Sequence, residues 1–276
     1  MSVAVQPALD GALRDDVQAL ITAVKIRDGA PPLSDHAMLQ LGAERPGLAH
    51  LVVGRLDGYA QLDGDTAEIA DRTGVTDTLL AALEALAPHV IVWSHGQRSP
   101  VAAAAAARGY AKHRALWQLR RALTDLPSKP LPEGVTLRPF VPGQDEDAWL
   151  AVNAAAFAGH AEQGRWTRAD IEAREAEPWF DPPGFLLAER DGELLGFHWT
   201  KVHRHGIGEV YVLGIAPKAQ GLGLGPALLS AGLQYLAGRG VSEAMLYVDD
   251  SNGGAMELYR RYGFTTHDLD AQYIRP

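Results

Sequence analysis

Two short runs hold the residues whose types and spacing could do chemistry. The first, Gln220-Gly221-Leu222-Gly223-Leu224-Gly225-Pro226, follows an apolar run at 210–215 and opens an apolar helical pattern over 227–236. The second, Asn252-Gly253-Gly254-Ala255-Met256-Glu257-Leu258-Tyr259, follows another apolar run at 244–248 and is closed by Gly263-Phe264. A glycine turn at the start of a helix leaves backbone N–H groups unpaired and pointing outward, and the helix dipole adds partial positive charge. Such a turn suits a pyrophosphate. It is not a dinucleotide fingerprint, because Pro226 stands where the third glycine of G-x-G-x-x-G should be. Nor is it a P-loop, since no Gly-Lys-Ser/Thr follows.

The elements that must position these runs can be traced from the pattern of apolar residues. Residues 10–26 read as an amphipathic helix, with Leu13, Val17, Leu20, Ile21 and Val24 on one stripe. Ser34 is a plausible N-cap for a short helix through Leu41. Strands are expected at 50–54 and 58–62, a helix at 78–87 capped by Thr76 or Asp77, a buried strand at 90–93, an alanine-rich helix ending at Gly109 and a strand at 116–119. Residues 124–136, with Pro127, Pro130 and Pro132, form the clearest linker. A similar order then begins again: helices at 148–157 and 168–177, the latter capped by Thr167, strands at 184–188 and 194–199, the two runs above, and a closing strand at 271–274. The chain is therefore expected to be an α/β tandem repeat of one fold, divided as residues 1–123, a linker at 124–136, and 137–276. Between Ala67 and Leu79 the first half has only Gly74 in place of the glycine turn, so it is expected to keep the fold and lose the anion chemistry.

Composition excludes several classes. The 276 residues contain no cysteine, which removes disulfides, thiolate metal sites and a cysteine nucleophile. A net charge of -9 argues against a nucleic-acid surface. No secretory leader is apparent, and the longest uniform apolar tract, 101–107, is too short to span a bilayer. The expectation is a cytoplasmic monomer with no membrane or nucleic-acid partner and no metal. His198, His203 and His205 match no usual ligand spacing, and the run 203–205 reads as a solvated hairpin tip.

Gln-x-x-Gly-x-Gly after a strand, followed by Asn-x-x-Ala-x-x-Leu-Tyr-x-x-x-Gly-Phe one helix and one strand later, resembles the GNAT superfamily of N-acetyltransferases. The resemblance implies two GNAT domains, each a mixed, mostly antiparallel sheet flanked by helices, with acetyl-CoA as co-substrate. Leu213, Gly214 and Ile215, the turn Gln220, Gly221, Leu222, Gly223, Leu224, Gly225 and Pro226, and Asn252, Gly253, Gly254, Ala255, Met256 and Glu257 would hold it. Leu222 replaces a basic residue many such turns carry, so phosphate binding would lean on backbone amides. Acetyl transfer to an amine needs a base, a site for the oxyanion and an acid for the leaving thiolate. In this frame Glu209, at the start of the central strand, is the candidate base and Tyr259 the candidate acid.

Further segments of the second half are similar to the mycothiol synthase family: 154–164, Glu177-Pro178-Trp179-Phe180-Asp181-Pro182, Phe197-His198-Trp199-Thr200-Lys201-Val202-His203, and 209–215. That resemblance implies cysteinyl-glucosaminyl-inositol as the acceptor, contacted by Asp35, Glu162, Lys201, Glu209 and Tyr247. An ammonium with many hydroxyls suits carboxylates, a lysine donor and a phenol. Two other readings stay open on the residues alone: an acetyltransferase for another small amine or a peptide N-terminus, and a catalytically silent acyl-CoA-binding module.

Overall fold

The computed structural model describes residues 2–159, 163–203 and 206–276, which fall into two compact units. The first comprises Met1–Trp117, Asp249–Ser251 and Asp268–Pro276; the second comprises Gln118–Val248 and Asn252–His267.

In the first unit the order is β1 (Val3–Gln6), α1 (Gly11–Asp28), α2 (Asp35–Leu39), β2 (Leu48–Val53), β3 (Gly58–Asp63), β4 (Thr66–Asp71), α3 (Thr76–Leu86), β5 (Ile91–Ser94) and α4 (Val101–Ala107). Strands β1 to β4 pair antiparallel in sequence order, and β5 runs parallel to β4. Neighbouring strand residues point to opposite faces, and the packing follows. Leu51 and Val53 join Leu79, Leu80 and Leu83 of α3. Val52 between them joins Val17, Leu20, Ile21 and Val24 of α1. Helix α1 starts where the Asp10 carboxylate accepts the Leu13 N–H at 2.8 Å and stops at Gly29, whose φ of 84° a side chain would resist.

Two sequence expectations change here. Helix α3 is capped by neither Thr76 nor Asp77. The Asp71 carboxylate at the end of β4 accepts N–H bonds from Thr73 (3.0 Å), Gly74 (2.7 Å), Val75 (3.0 Å) and Thr76 (2.9 Å). The sequence order puts the closing strand in the second half, yet Ala271–Tyr273 pair antiparallel with Val92–Ser94 of β5 inside the first unit. Strand pairing is a long-range choice that the local pattern of a strand leaves open.

The second unit takes the end of β6 (Ala111–Ala122), then β7 (Thr136–Pro139), α5 (Glu146–Ala156), α6 (Arg168–Glu175), β8 (Phe185–Arg190), β9 (Glu193–Val202), β10 (Ile207–Ile215), α7 (Leu224–Gly238), β11 (Glu243–Asp249), α8 (Gly253–Arg261) and the start of β12 (Thr265–Ile274). Strands β7 to β10 pair antiparallel in order, and β11 is parallel to β10. One face carries Phe140, Trp149, Phe185, Phe197 and Trp199, and a separate cluster gathers Ala188, Leu195, Ala219, Leu224 and Leu228. Phe185 stacks on Trp199 at 4.3 Å, and Trp149 meets both edge-on, the offset and T-shaped contacts that aromatic quadrupoles favour. Thr167 caps α6 as expected, in a full capping box with Asp170. The proline-rich stretch is docked against α7: Ser230 Oγ donates to the Pro127 carbonyl at 2.7 Å and accepts the Lys129 N–H at 3.2 Å.

Candidate active site

The strand pair β10–β11 builds the site. Their parallel register runs from Ile207–Glu243 to Glu209–Met245 and ends there, although β10 continues to Ile215 and β11 to Asp249. On the other edge, β10 skips a residue against β9 between Val210 and Val212, a bulge that re-aims the strand where its pairing with β11 stops. Glu209 is the last paired residue before that opening and is buried, with 9% of its side chain exposed. Lys201 lies directly across from it on β9, also buried, with Nζ 4.7 Å from the Trp179 ring centre and 5.2 Å from that of Tyr211. A desolvated ammonium between two aromatic faces gains cation–π attraction.

Beyond the opening, Leu213, Gly214 and Ile215 end β10, paired with His198, Phe197 and Gly196 of β9. A Cβ on Gly214 would come within 2.6 Å of the Phe197 ring, so close packing demands glycine there. Gly221 and Gly223 take φ of 80° and 79°, and Gly223 is the N-cap of α7 with no side-chain cap bond. The first amides of α7 are thus presented by backbone alone, next to the exposed Leu222. Leu224 turns its side chain into the core, and the Pro226 carbonyl accepts the Tyr262 hydroxyl at 2.8 Å. The Asn252 side chain accepts the Ala255 N–H at 3.1 Å and so caps α8. Gly253 and Gly254 have open space around them, Met256 is core, and the exposed Glu257 pairs loosely with Arg261 at 3.8 Å. The chemistry expected of these residues therefore falls on their backbones.

Tyr259 is buried against Phe264, with ring centres 5.8 Å apart, and burial pushes its phenol up to about 12. The phenol keeps its proton at any working pH, as an acid must. Tyr247 on β11 is part-exposed and accepts the Gln118 amide N–H at 2.7 Å. Asp35 is the exposed first residue of α2 in the first unit. Glu162 lies outside the described residues, as do Arg204 and His205 of the expected hairpin tip.

His203 lies just beyond β9, outside any strand, and its Nε2 is 2.7 Å from Glu209 Oε2. A signal was present in the sequence: Lys201 and His203 are two apart at a strand end and so share a face. A cavity of about 510 Å³ opens beside them, with Trp179, Asp181, Thr200, Lys201, His203 and Arg239 in its wall. His198, by contrast, is a core residue: Nδ1 donates to the Leu228 carbonyl at 2.8 Å and burial lowers it to about 4. Among the described residues no cluster of three potential metal ligands forms.

The parted strands, the glycine-opened helix and the buried carboxylate between them define a GNAT-type N-acetyltransferase. The model of the acetyltransferase (GNAT) family matches residues 153–264. Solved structures similar over the whole length include a GCN5-related N-acetyltransferase from Sphaerobacter thermophilus, 25% identical with a TM-score of 0.72 over 99% of this chain and 96% of that one. Another is a tandem GNAT protein from the clavulanic acid biosynthesis pathway, 18% identical with a TM-score of 0.71 over 99% of this chain and 97% of that one, which supports the tandem fold. Among curated relatives, a mycothiol acetyltransferase from Thermomonospora curvata is 50% identical over 94% of this chain and 93% of its own length. One from Streptomyces coelicolor is 50% identical over 94% of this chain and 90% of its own. The chain belongs to the mycothiol acetyltransferases of the GNAT family.

Proposed function

We propose that this enzyme moves the acetyl group of acetyl-CoA to the cysteinyl amine of cysteinyl-glucosaminyl-inositol, giving mycothiol and CoA. The observation that carries the reading is Glu209: a buried carboxylate on the last paired residue before β10 and β11 part, with Lys201 directly opposite. The opening admits the pantetheine arm alongside Leu213, Gly214 and Ile215, whose backbone orients the thioester. The pyrophosphate sits on the amides that follow Gly223. Glu209 takes a proton from the acceptor amine as nitrogen attacks the thioester carbonyl. The C–S bond then breaks, and Tyr259 gives its proton to the departing sulfur. Lys201 and Tyr247 supply an ammonium and a phenol to acceptor hydroxyls. Asp35 and Glu162 are assigned to the acceptor by family resemblance alone and carry no weight in the geometric argument.

The first unit keeps the fold without the chemistry in this reading. Glu68 occupies the register position of Glu209: it is the third paired residue of β4, opposite Trp93, as Glu209 is the third of β10, opposite Met245. Its carboxylate is already engaged, accepting the Ser34 N–H and hydroxyl and pairing with His95 at 3.1 Å, which lies 3.2 Å from Asp270. Burial alone would raise the Glu68 carboxyl, but these partners outweigh it and hold it low. At the helix that follows, Asp71 already takes the amides a pyrophosphate would need.

The test is CoA release from acetyl-CoA with purified protein and synthetic cysteinyl-glucosaminyl-inositol, alongside Glu209→Gln. Turnover by the wild type and a loss of about 100-fold or more in the variant is expected, the scale of general-base catalysis. Absence of wild-type turnover with acetyl-CoA still bound would sink the acceptor assignment.

A further inference from the structure

We infer that His203 is a positioning residue for the base, fixing through one N–H···O bond which oxygen of Glu209 meets the amine. The inference rests on the acetyl-transfer reading above. His203 Nε2 and Glu209 Oε2 are 2.7 Å apart, the short distance typical of a bond to a charged acceptor. With the donor on Oε2, the side chain can no longer rotate freely, and Oε1 is the oxygen left for the proton of the acceptor. The backbone that carries the imidazole is anchored. His203 lies one position beyond β9; its main-chain N–H donates to the Ile207 carbonyl at 2.8 Å, and its main-chain carbonyl accepts the Gly206 N–H at 2.9 Å. The turn that carries the donor is thereby tied to the start of β10, two residues before Glu209.

Position explains why this pair differs from an ordinary surface contact. An exposed ion pair contributes little, because water serves each partner as well as the other does. Glu209 has only 9% of its side chain exposed, against 28% for His203. Removing the donor leaves a buried carboxylate short of a hydrogen bond, which is costly. The same ring lines the cavity that Lys201 and Trp179 share, so it touches both the base and that space. A group fixed there holds the base within reach of the attacking nitrogen, and positioning of that kind acts on turnover more than on binding.

The experiment is steady-state kinetics on His203→Leu, His203→Gln, Glu209→Gln and the double variant Glu209→Gln/His203→Leu, with both substrates varied. Losing the donor in His203→Leu should lower kcat by roughly 10- to 100-fold, the scale of one hydrogen bond to a charged group, while KM for acetyl-CoA holds. His203→Gln, which still presents an N–H, should recover most of that loss. In the Glu209→Gln background the leucine change should cost nothing more, because residues that act as one unit are non-additive. An unchanged kcat in His203→Leu, a loss that simply adds to that of Glu209→Gln, or a parallel rise in KM for acetyl-CoA would each overturn the role. If the wild type does not turn over, the acetyl-transfer reading fails instead; if it turns over and Glu209→Gln is as active, the base assignment fails and the role of His203 falls with it, so the failures are told apart.

Discussion

At the scale of single residues, burial sets the character of the proposed acid. Tyr259 is buried against Phe264, and that burial alone drives the phenol up to about 12. For an acid the sign is favourable: a raised value extends the protonated, donating form upward in pH. Wild-type kcat should therefore show no alkaline loss from this group below about pH 10, the value of an ordinary phenol. Tyr259→Phe should lower kcat by about 100-fold with KM for acetyl-CoA little changed, as expected when a proton donor used only in the transition state is removed. A loss confined to KM would instead make Tyr259 a packing residue. Glu209 has three neighbours from two other segments: Lys201 and His203 at the end of β9, and Met245 on β11.

At the scale of elements, the two units contain the same strand–turn–helix and treat its helix N-terminus in opposite ways. In the second unit Gly223 holds a φ of 79° and leaves the amides of α7 open. Placing a β-branched residue in that left-handed conformation costs about 1–2 kcal/mol, and 1.36 kcal/mol is a factor of ten. Gly223→Val should raise KM for acetyl-CoA about tenfold by that conversion while KM for the acceptor scarcely moves; equal rises in both would point to general misfolding. In the first unit Asp71 closes the corresponding end of α3. Burial would raise its carboxyl, but the Thr76 hydroxyl and the amides of Val75, Gly74 and Thr76 outweigh it and hold it low. A depressed carboxyl stabilises the fold above its unfolded value, about 3.9, and that contribution is lost as pH falls through the folded value. Asp71→Ala should cost about 2 kcal/mol at neutral pH, the upper range for a helix cap. In urea titrations the gap from wild type should narrow below about pH 4.

At the scale of the whole molecule, the proposed reading gives one working centre per chain. A stoichiometric calorimetric titration should give a single acetyl-CoA per chain, and hydrogen-exchange protection on binding should appear at 213–227 and not at 73–79. Two equivalents, or protection at the start of α3, would show that the first unit kept its ligand. The absence of cysteine has a kinetic consequence at the same scale. No acetyl-cysteine can form, which is consistent with direct transfer in a ternary complex, and initial-velocity plots should intersect. Parallel lines would require a covalent intermediate on some other group.

The sequence by itself determined the repeat, the positions of most helices and strands and the glycine turn, and it singled out Glu209 and Tyr259 as the residues on which the proposed base and acid roles rest. Those features are local. A positive φ requires glycine at 221 and 223, a stripe of apolar residues fixes a helix face, and motif spacing along one chain survives folding unchanged. It also foresaw that the first half lacks an open glycine turn, but not that Asp71 fills the place. Contacts between segments distant in sequence were decided only in three dimensions. Strand β12 ends on β5 rather than completing the second half, because an exposed strand edge accepts any partner of matching register. Glu68 is engaged by Ser34 and by His95, whose other ring nitrogen meets Asp270, so that three separate stretches close around it. The sequence places His203 at the solvated tip of a turn; the fold makes it the neighbour of Glu209, because antiparallel strands bring residues six apart to hydrogen-bonding distance and the local pattern does not say which side chains meet.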